Sequence, residues 1–175
     1  FSVAWLTTSP AIGAVSITSP KRSPSTFFDD RDTTTKLGSY TTHSVTMRKL
    51  TPATSHTFQL LSNGKTFTNN GKPYIVTTAQ VLSGGGNGLE PAYGTILDTN
   101  GSPVTGAVVL MTIENGQLLS TLTSSSGSWL LSLNLARVVS LDRYLDDTNR
   151  LTETIRVLYN DQEATAITDT LNDAP

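Results

Sequence analysis

The sequence predicts an all-β fold made of two tandem β-sandwiches with very little helix. Apolar residues recur at every second position in short runs, which is the spacing of a strand with one buried face. Turn-forming pairs such as Asn-Gly separate these runs. The 175 residues allow one or two domains, and a half of roughly 80–90 residues can bury a core of its own. We therefore expect a first domain at 1–82, a glycine-rich linker at 83–91 and a second domain at 92–175.

The first strand of the first domain is the clearest example of this alternation. Phe1, Val3 and Trp5 lie on one face, and Ser2 and Ala4 lie on the other. The polar stretch 19–38 predicts a loop. The remaining strands of this domain are expected at 12–18, 40–50, 56–61 and 74–82.

The second domain shows the same pattern of short alternating runs separated by turns, with a different sequence. The segment 135–145 is compatible with one short helical turn or with a loop that caps the sandwich. Strands are expected at 93–97, 107–113, 117–123, 129–133, 152–159 and 164–170.

Residues 1–82 resemble a fibronectin type III domain of the purple-acid-phosphatase-like subtype. The segments that carry the resemblance are 3–10 (VAWLTTSP), 13–15 (GAV) and 50–58 (LTPATSHTF), in which His56 takes the place of the corner tyrosine. In that family the tryptophan strand is the second strand, so the resemblance implies that the first strand is missing here. Such a gap leaves an open sheet edge, filled either by residues upstream or by a strand of a neighbouring copy.

Residues 92–175 resemble a carboxypeptidase-regulatory-like module, which is a seven-stranded transthyretin-like sandwich. The segments that carry the resemblance are 94–98 (GTILD), 100–104 (NGSPV), 106–109 (GAVV) and 127–129 (GSW). Both families act as spacers, adhesion modules and accessory domains of secreted proteins. The two resemblances together imply a structural role.

The two halves of the chain carry opposite charge. Residues 1–82 contain eight lysines and arginines against three aspartates, a formal charge of +5, whereas residues 83–175 contain four arginines against eleven acids, a charge of −7. A basic domain joined to an acidic one can attract the opposite domain of another copy. The basic residues are scattered without interleaved aromatic residues, so nucleic acid is not an expected partner.

Few residues are suited to catalysis or metal binding. His43 and His56 are the only histidines, and Asp29, Asp30 and Asp32 are the obvious acids that could join them at a metal. A calcium site at these aspartates, or at 142–153, lacks the spacing of an EF-hand loop. We expect both histidines to be exposed strand residues or satisfied corner residues, and we expect no metal, no cofactor and no enzyme activity.

Cysteine is absent, which excludes disulfides, thiolate zinc sites and cysteine nucleophiles. Residues 83–175 contain no lysine, so a Lys–Asn isopeptide bond cannot form within the second domain. Threonine and serine supply 48 of the 175 residues, which either reflects the β-propensity of threonine or provides hydroxyls for glycans. No apolar run is long enough to span a membrane as a helix.

We expect an extracellular, cell-surface structural protein, a filament subunit that assembles head to tail with copies of itself. Strand exchange would use the terminal segments 1–7 and 164–175. The alternative is a spacer, adhesion or accessory binding module within a larger secreted protein. The residues expected at the subunit interface are Phe1, Val3, Trp5, Ala164, Ile167 and Leu171.

Overall fold

A computed structural model describes residues 1–33, 35–146 and 150–171 of the chain. These residues form β-strands joined by turns and loops, and no helix occurs among them, which confirms the all-β prediction. Accordingly, no helix in the described part is long and apolar enough to cross a membrane. The chain divides into two compact units, Phe1–Val81 and Leu82–Pro175.

The described residues of the first unit form seven antiparallel strands in two sheets. The smaller sheet pairs β1 (Ser2–Ala11) with β4 (Tyr40–Thr46). The larger sheet has the order β3-β2-β5-β6, and β7 also pairs with β5. Its strands are β2 (Gly13–Thr18), β3 (Ser25–Phe28), β5 (Ser55–Ser62), β6 (Lys65–Phe67) and β7 (Tyr74–Thr77).

Two short strands of this unit were not expected from the sequence. β3 lies inside the stretch predicted as a loop, where four residues bounded by polar neighbours give too short an alternation to detect. β6 returns along β5 after the turn Asn63-Gly64, whose φ angles of 46° and 76° are those of a tight hairpin. The turn was recognised in the sequence, but its second strand was not.

Both sheets of the first unit contribute side chains to one core. Val15, Ile17 and Phe58 come from the larger sheet, and Val45 comes from the smaller one. Val3 and Trp5 of β1 pack against this cluster. Burying a side chain of this size stabilises a fold by about 1.5–3 kcal/mol, so the sheets are held together by apolar contact across their facing sides.

The second unit has a four-stranded sheet of order β10-β9-β12-β13 and a two-stranded sheet of β11 and β8. All pairs are antiparallel. The strands are β8 (Ala92–Thr95), β9 (Val108–Ile113), β10 (Leu118–Leu122), β11 (Ser128–Leu131), β12 (Thr152–Tyr159) and β13 (Gln162–Asp169).

The core of the second unit is mostly aliphatic. Trp129 and Leu131 of the smaller sheet lie against Val109, Met111 and Ile113 of the larger one. The segment 135–145 forms turns and isolated bridges rather than a helical turn. Its side chains at 136, 138 and 145 enter the core, so this segment is a loop that caps the apolar interior.

The glycine-rich stretch expected as a linker is partly built into the second unit. The backbone N–H of Asn87 donates to the Asn134 carbonyl over 2.8 Å, and its side-chain amide donates to the Ala136 carbonyl over 3.3 Å. Leu89 is buried in the core. Glycine composition favours a flexible tether, but these contacts anchor the second half of the stretch.

Candidate assembly surfaces

The first unit exposes one edge of its smaller sheet. Phe1 accepts a hydrogen bond from the Met47 backbone N–H (2.8 Å), which fixes the register of β1 on β4. Since alternate residues of an antiparallel strand bond to opposite sides, the peptide groups of Ser2, Ala4 and Leu6 point away from β4. Across the described residues, no strand pairs with that side of β1.

The other edge of the same sheet is covered. The segment 29–31 runs beside β4, and Asp30 donates its backbone N–H to the Ser44 carbonyl (2.8 Å). Asp29 and Asp30 accept from the backbone N–H groups of Ser44 (3.1 Å) and Thr46 (3.0 Å). The guanidinium of Arg31 donates to the Thr42 carbonyl. β4 is therefore capped by a loop, and β1 is not.

A buried charged cluster supports this cap. Arg31 Nε donates to Asp29 Oδ1 over 2.7 Å, and Asp29 Oδ2 lies 3.6 Å from His43 Nδ1, which is longer than a hydrogen bond. Burial alone would raise the pKa of Asp29. Contacts with the His43 ring and with the guanidinium and backbone N–H of Arg31 outweigh burial and hold that pKa well below its usual range. The Arg31 guanidinium also lies 3.6 Å from the centre of the Tyr40 ring.

The same cluster has the order of a hydrolase triad but not its geometry. His43 Nε2 lies 3.5 Å from the Thr7 hydroxyl, so acid, imidazole and hydroxyl follow one another. The Thr7 hydroxyl, however, donates to the Ser9 carbonyl over 2.8 Å. His43 is completely buried, with the Trp5 ring stacked on it at a centroid distance of 4.7 Å. An imidazole in this position cannot reach a substrate.

The two histidines do not form a shared site. His43 lies on β4 and His56 on β5, which belong to different sheets. The ring of His56 is buried, with Nδ1 2.9 Å from the Ser19 hydroxyl and Nε2 3.4 Å from the Thr51 carbonyl. Both ring nitrogens of His56 thus have a polar neighbour. This agrees with the second of the two expectations, a satisfied corner residue. His43 is neither exposed nor at a corner.

The aspartates considered for a metal site have other contacts. Asp32 accepts hydrogen bonds from the Gly38 backbone N–H (2.8 Å) and the Tyr40 hydroxyl (3.0 Å). Within the part of the chain that the structure describes, no three histidine or acidic side chains come together as metal ligands. The second calcium candidate includes positions 147–149, which lie outside the described residues.

The expected interface residues of β1 face the unit's own core. Phe1 packs edge-to-face on Phe58 with ring centroids 5.5 Å apart, and Val3 and Trp5 pack against the core cluster. These side chains are therefore engaged within the unit. What β1 offers a partner is its backbone edge and the opposite face, on which Leu6 is 38% exposed.

The second unit has an open edge on β8. Ile96 donates its backbone N–H to the Gly127 carbonyl (2.9 Å), on the side of β11. The peptide groups of Tyr93 and Thr95 point the opposite way by the alternation of an antiparallel strand. Throughout the described ranges, β8 pairs with β11 alone.

An apolar groove of about 300 Å³ lies beside this edge. We call it the β8 groove. Its wall is formed by β8 and Trp129, and its floor is the inner face of β12 and β13. The carboxylate of Glu153 is completely buried at the floor. The other floor side chains are Ile155, Val157, Ala164, Ala166 and Thr168.

Glycine at position 94 gives the groove its shape. Gly94 lies directly opposite Trp129 in the strand register, and a Cβ at Gly94 would lie 2.9 Å from the indole Nε1. The missing side chain therefore makes room for the indole against the inner side of β8. The sequence alone shows Gly94 within a predicted strand and Trp129 two residues after Gly127. It does not show the order of the strands, and the groove depends on that order.

The expected interface residues near the end of the chain lie on two surfaces. Ala164 is at the floor of the β8 groove. Ile167, also on β13, is 72% exposed, and Leu171 is 74% exposed. In an extended strand Ile167 points to the face opposite Ala164 and Ala166, so the β13 candidates divide between the groove and the outer face of the sheet.

The sequence was compared with known families and proteins. No family model matches the chain, and no curated protein matches it. The geometry of the two open edges is therefore the basis for assigning a function.

Proposed function

We propose that this chain is a non-enzymatic structural subunit of an extracellular surface filament. Copies associate head to tail, with the basic first unit of one copy against the acidic second unit of the next. The observation that carries the proposal is that, among the described residues, each unit has a two-stranded sheet with an unpaired edge, on β1 in the first and on β8 in the second. Unpaired strand edges are templates for pairing with another chain.

Charge supports the pairing of unlike units. The formal charges of +5 for residues 1–82 and −7 for residues 83–175 attract each other between copies, whereas like units repel. A contact between two different surfaces does not close on itself unless its rotation closes a ring, so it can propagate as a filament.

The arrangement of the histidines supports a non-enzymatic role. Both rings are buried, and each is held by neighbouring side chains, with His43 stacked on Trp5 and His56 beside the Ser19 hydroxyl. The extracellular assignment is supported by the abundance of threonine and serine and by the resemblance to modules of secreted proteins. The same hydroxyls are the proposed attachment points for glycans.

Sedimentation velocity and negative-stain imaging of the full chain test the proposal. We expect oligomers that lengthen with protein concentration and shorten as salt rises from about 0.01 M to 1 M, because the screening length falls from about 30 Å to about 3 Å. Monomers alone at high concentration and low salt would contradict it.

The alternative is a spacer, adhesion or accessory module of a larger secreted protein. The β8 groove favours this candidate if the groove receives a segment of the same polypeptide. In that case the protein stays monomeric, and the salt series changes nothing. The same experiment thus separates the two candidates.

A further inference from the structure

We infer that the β8 groove is the acceptor site for strand β1 of a second copy of this chain, a conclusion that rests on the proposed self-assembly. In this pairing, β1 of one copy adds to the open edge of β8 in the other. The added strand lies over β13, whose inner face the two-stranded sheet leaves uncovered.

Strand spacing supports this position. Neighbouring strands lie about 4.8 Å apart in both sheets of such a fold. In the core, β9 packs against Trp129 and Leu131 of β11 and against Ala92 of β8. β8 also borders the groove, whose floor is formed by β12 and β13. One strand beside β8 therefore covers β13 and closes the groove.

The backbone groups of the two edges are complementary. β1 presents the peptide groups of Ser2, Ala4 and Leu6, and β8 presents those of Tyr93 and Thr95. Pairing these edges joins the two small sheets into one sheet across the junction. Each buried N–H and C=O would then have a partner, which is the main source of affinity in strand addition.

The side chains that enter the groove also fit. With β1 paired to β8, the face that carries Ser2, Ala4 and Leu6 turns toward the groove, while Val3 and Trp5 keep their places in the first unit. The floor side chains on β13 are small, namely Ala164, Ala166 and Thr168, and they leave depth for Leu6. Leu6 is the large apolar residue that β1 exposes on this face.

Local charge agrees with the net charge of the units. Arg48 follows β4 at the end where Thr46 pairs with Ser2, the first residue of β1. Glu90 precedes β8, and Asp98 follows it. Either strand direction therefore places Arg48 near an acid.

Cross-linking between single-cysteine variants tests the contact directly, because the natural chain contains no cysteine. Leu6→Cys and Ala166→Cys are mixed at low salt and oxidised. Close approach raises the effective thiol concentration, so the mixed dimer should form about tenfold faster than in the control mixtures. The controls pair Leu6→Cys with Leu118→Cys, and Ile75→Cys with Ala166→Cys. Leu118 and Ile75 are 61% and 72% exposed, on β10 and β7.

Filling the groove gives a second test. Ala166→Trp places a large side chain on the exposed floor, and we expect it to weaken self-association at least tenfold, equal to about 1.4 kcal/mol. The matched control, Leu118→Trp, should assemble like the natural chain. Thermal unfolding of both variants shows whether each remains folded.

The outcomes separate the inference from the proposed function. If the natural chain never self-associates, the filament proposal and this inference both fail. If it self-associates, and if Ala166→Trp assembles equally well or the mixed dimer forms no faster than in the controls, only the assignment of the groove is overturned. A selective loss with Ala166→Trp together with the selective cross-link supports it.

Discussion

The two units are alike in plan and different in how their smaller sheet is completed. Each has a two-stranded sheet packed on a larger one. In the first unit the segment 29–31 covers the edge of β4, and the rings of Trp5 and His43 are stacked against each other. In the second unit an apolar groove remains beside β8. The first unit thus exposes a strand edge on β1, whereas the second unit has an apolar groove beside its exposed strand edge on β8.

This contrast shows how different interiors support similar sheets. The first unit adds a partly buried ion pair between Arg31 and Asp29 to its apolar core, whereas the second unit relies on aliphatic packing around one indole. Ionic clusters are costly to break because they leave a buried charge without its partner. Aliphatic cores are costly to truncate because a cavity remains.

The largest effect is expected for Trp129→Ala. Removing the indole leaves a cavity between the sheets and beneath Gly94, and we expect the second unit to lose about 4 kcal/mol of unfolding free energy. Hydrogen exchange measured by mass spectrometry should show faster exchange in β9 and β12 and unchanged exchange in β2 and β5. Equal acceleration in both units would contradict the independence of the two cores.

The next largest effect is expected for Asp29→Asn. The substitution keeps the shape but removes the charge that Arg31 neutralises, so we expect the first unit to lose about 3 kcal/mol. Exchange should increase in β4, whose edge this loop covers, and β9 should be unaffected. Asp142→Asn is the control, because its side chain is 58% exposed. A first unit as stable as that of the control would show that the cap contributes nothing.

A smaller loss is expected for Gly13→Ala. A Cβ at this position would overlap the buried His43 ring, and overpacking of this kind costs about 1–3 kcal/mol. Gly85→Ala is the matched control, since a Cβ there meets no atom within 4 Å. Chemical denaturation monitored by exchange in β2 distinguishes the two. Identical midpoints would mean that β2 and β4 are not in close contact.

The smallest effect is expected in how the stability of the first unit depends on pH. The pKa of Asp29 is lowered in the folded state, so its contribution to stability is fully present above the unfolded value of 3.8 and is lost as the pH falls through the folded value. We expect the first unit to lose stability gradually below about pH 4. The pH dependence should be weaker in Asp29→Asn. The same slope in both proteins would exclude Asp29 as its source.

Strand alternation and turn signals were sufficient to predict the class of fold and most strands. The Asn63-Gly64 pair identified a turn, because its φ angles require residues that tolerate the left-handed region, but the short strand β6 after it was not predicted. The sequence did not predict the burial of Leu89. A glycine-rich composition indicates a flexible backbone, but it does not indicate where a neighbouring apolar side chain will pack.

The open edges could be predicted only in part. An unpaired β1 followed from a family resemblance, but the cap on β4 required the hydrogen bonds of 29–31. The β8 groove arises from the order in which strands of distant sequence pair. Small residues at 164, 166 and 168 have no special meaning until β13 is known to extend beyond the opposite sheet.

The positions of the two tryptophans have a spectroscopic consequence. Trp5 is stacked on His43 within the first unit, and Trp129 forms the wall of the β8 groove. They are the only tryptophans in the chain, so each indole reports on one unit. A strand that closes the groove would remove the remaining water from Trp129 and shift its emission to shorter wavelength, while Trp5 keeps its surroundings. In the Trp5→Phe background, fluorescence alone would follow assembly in real time without an added label.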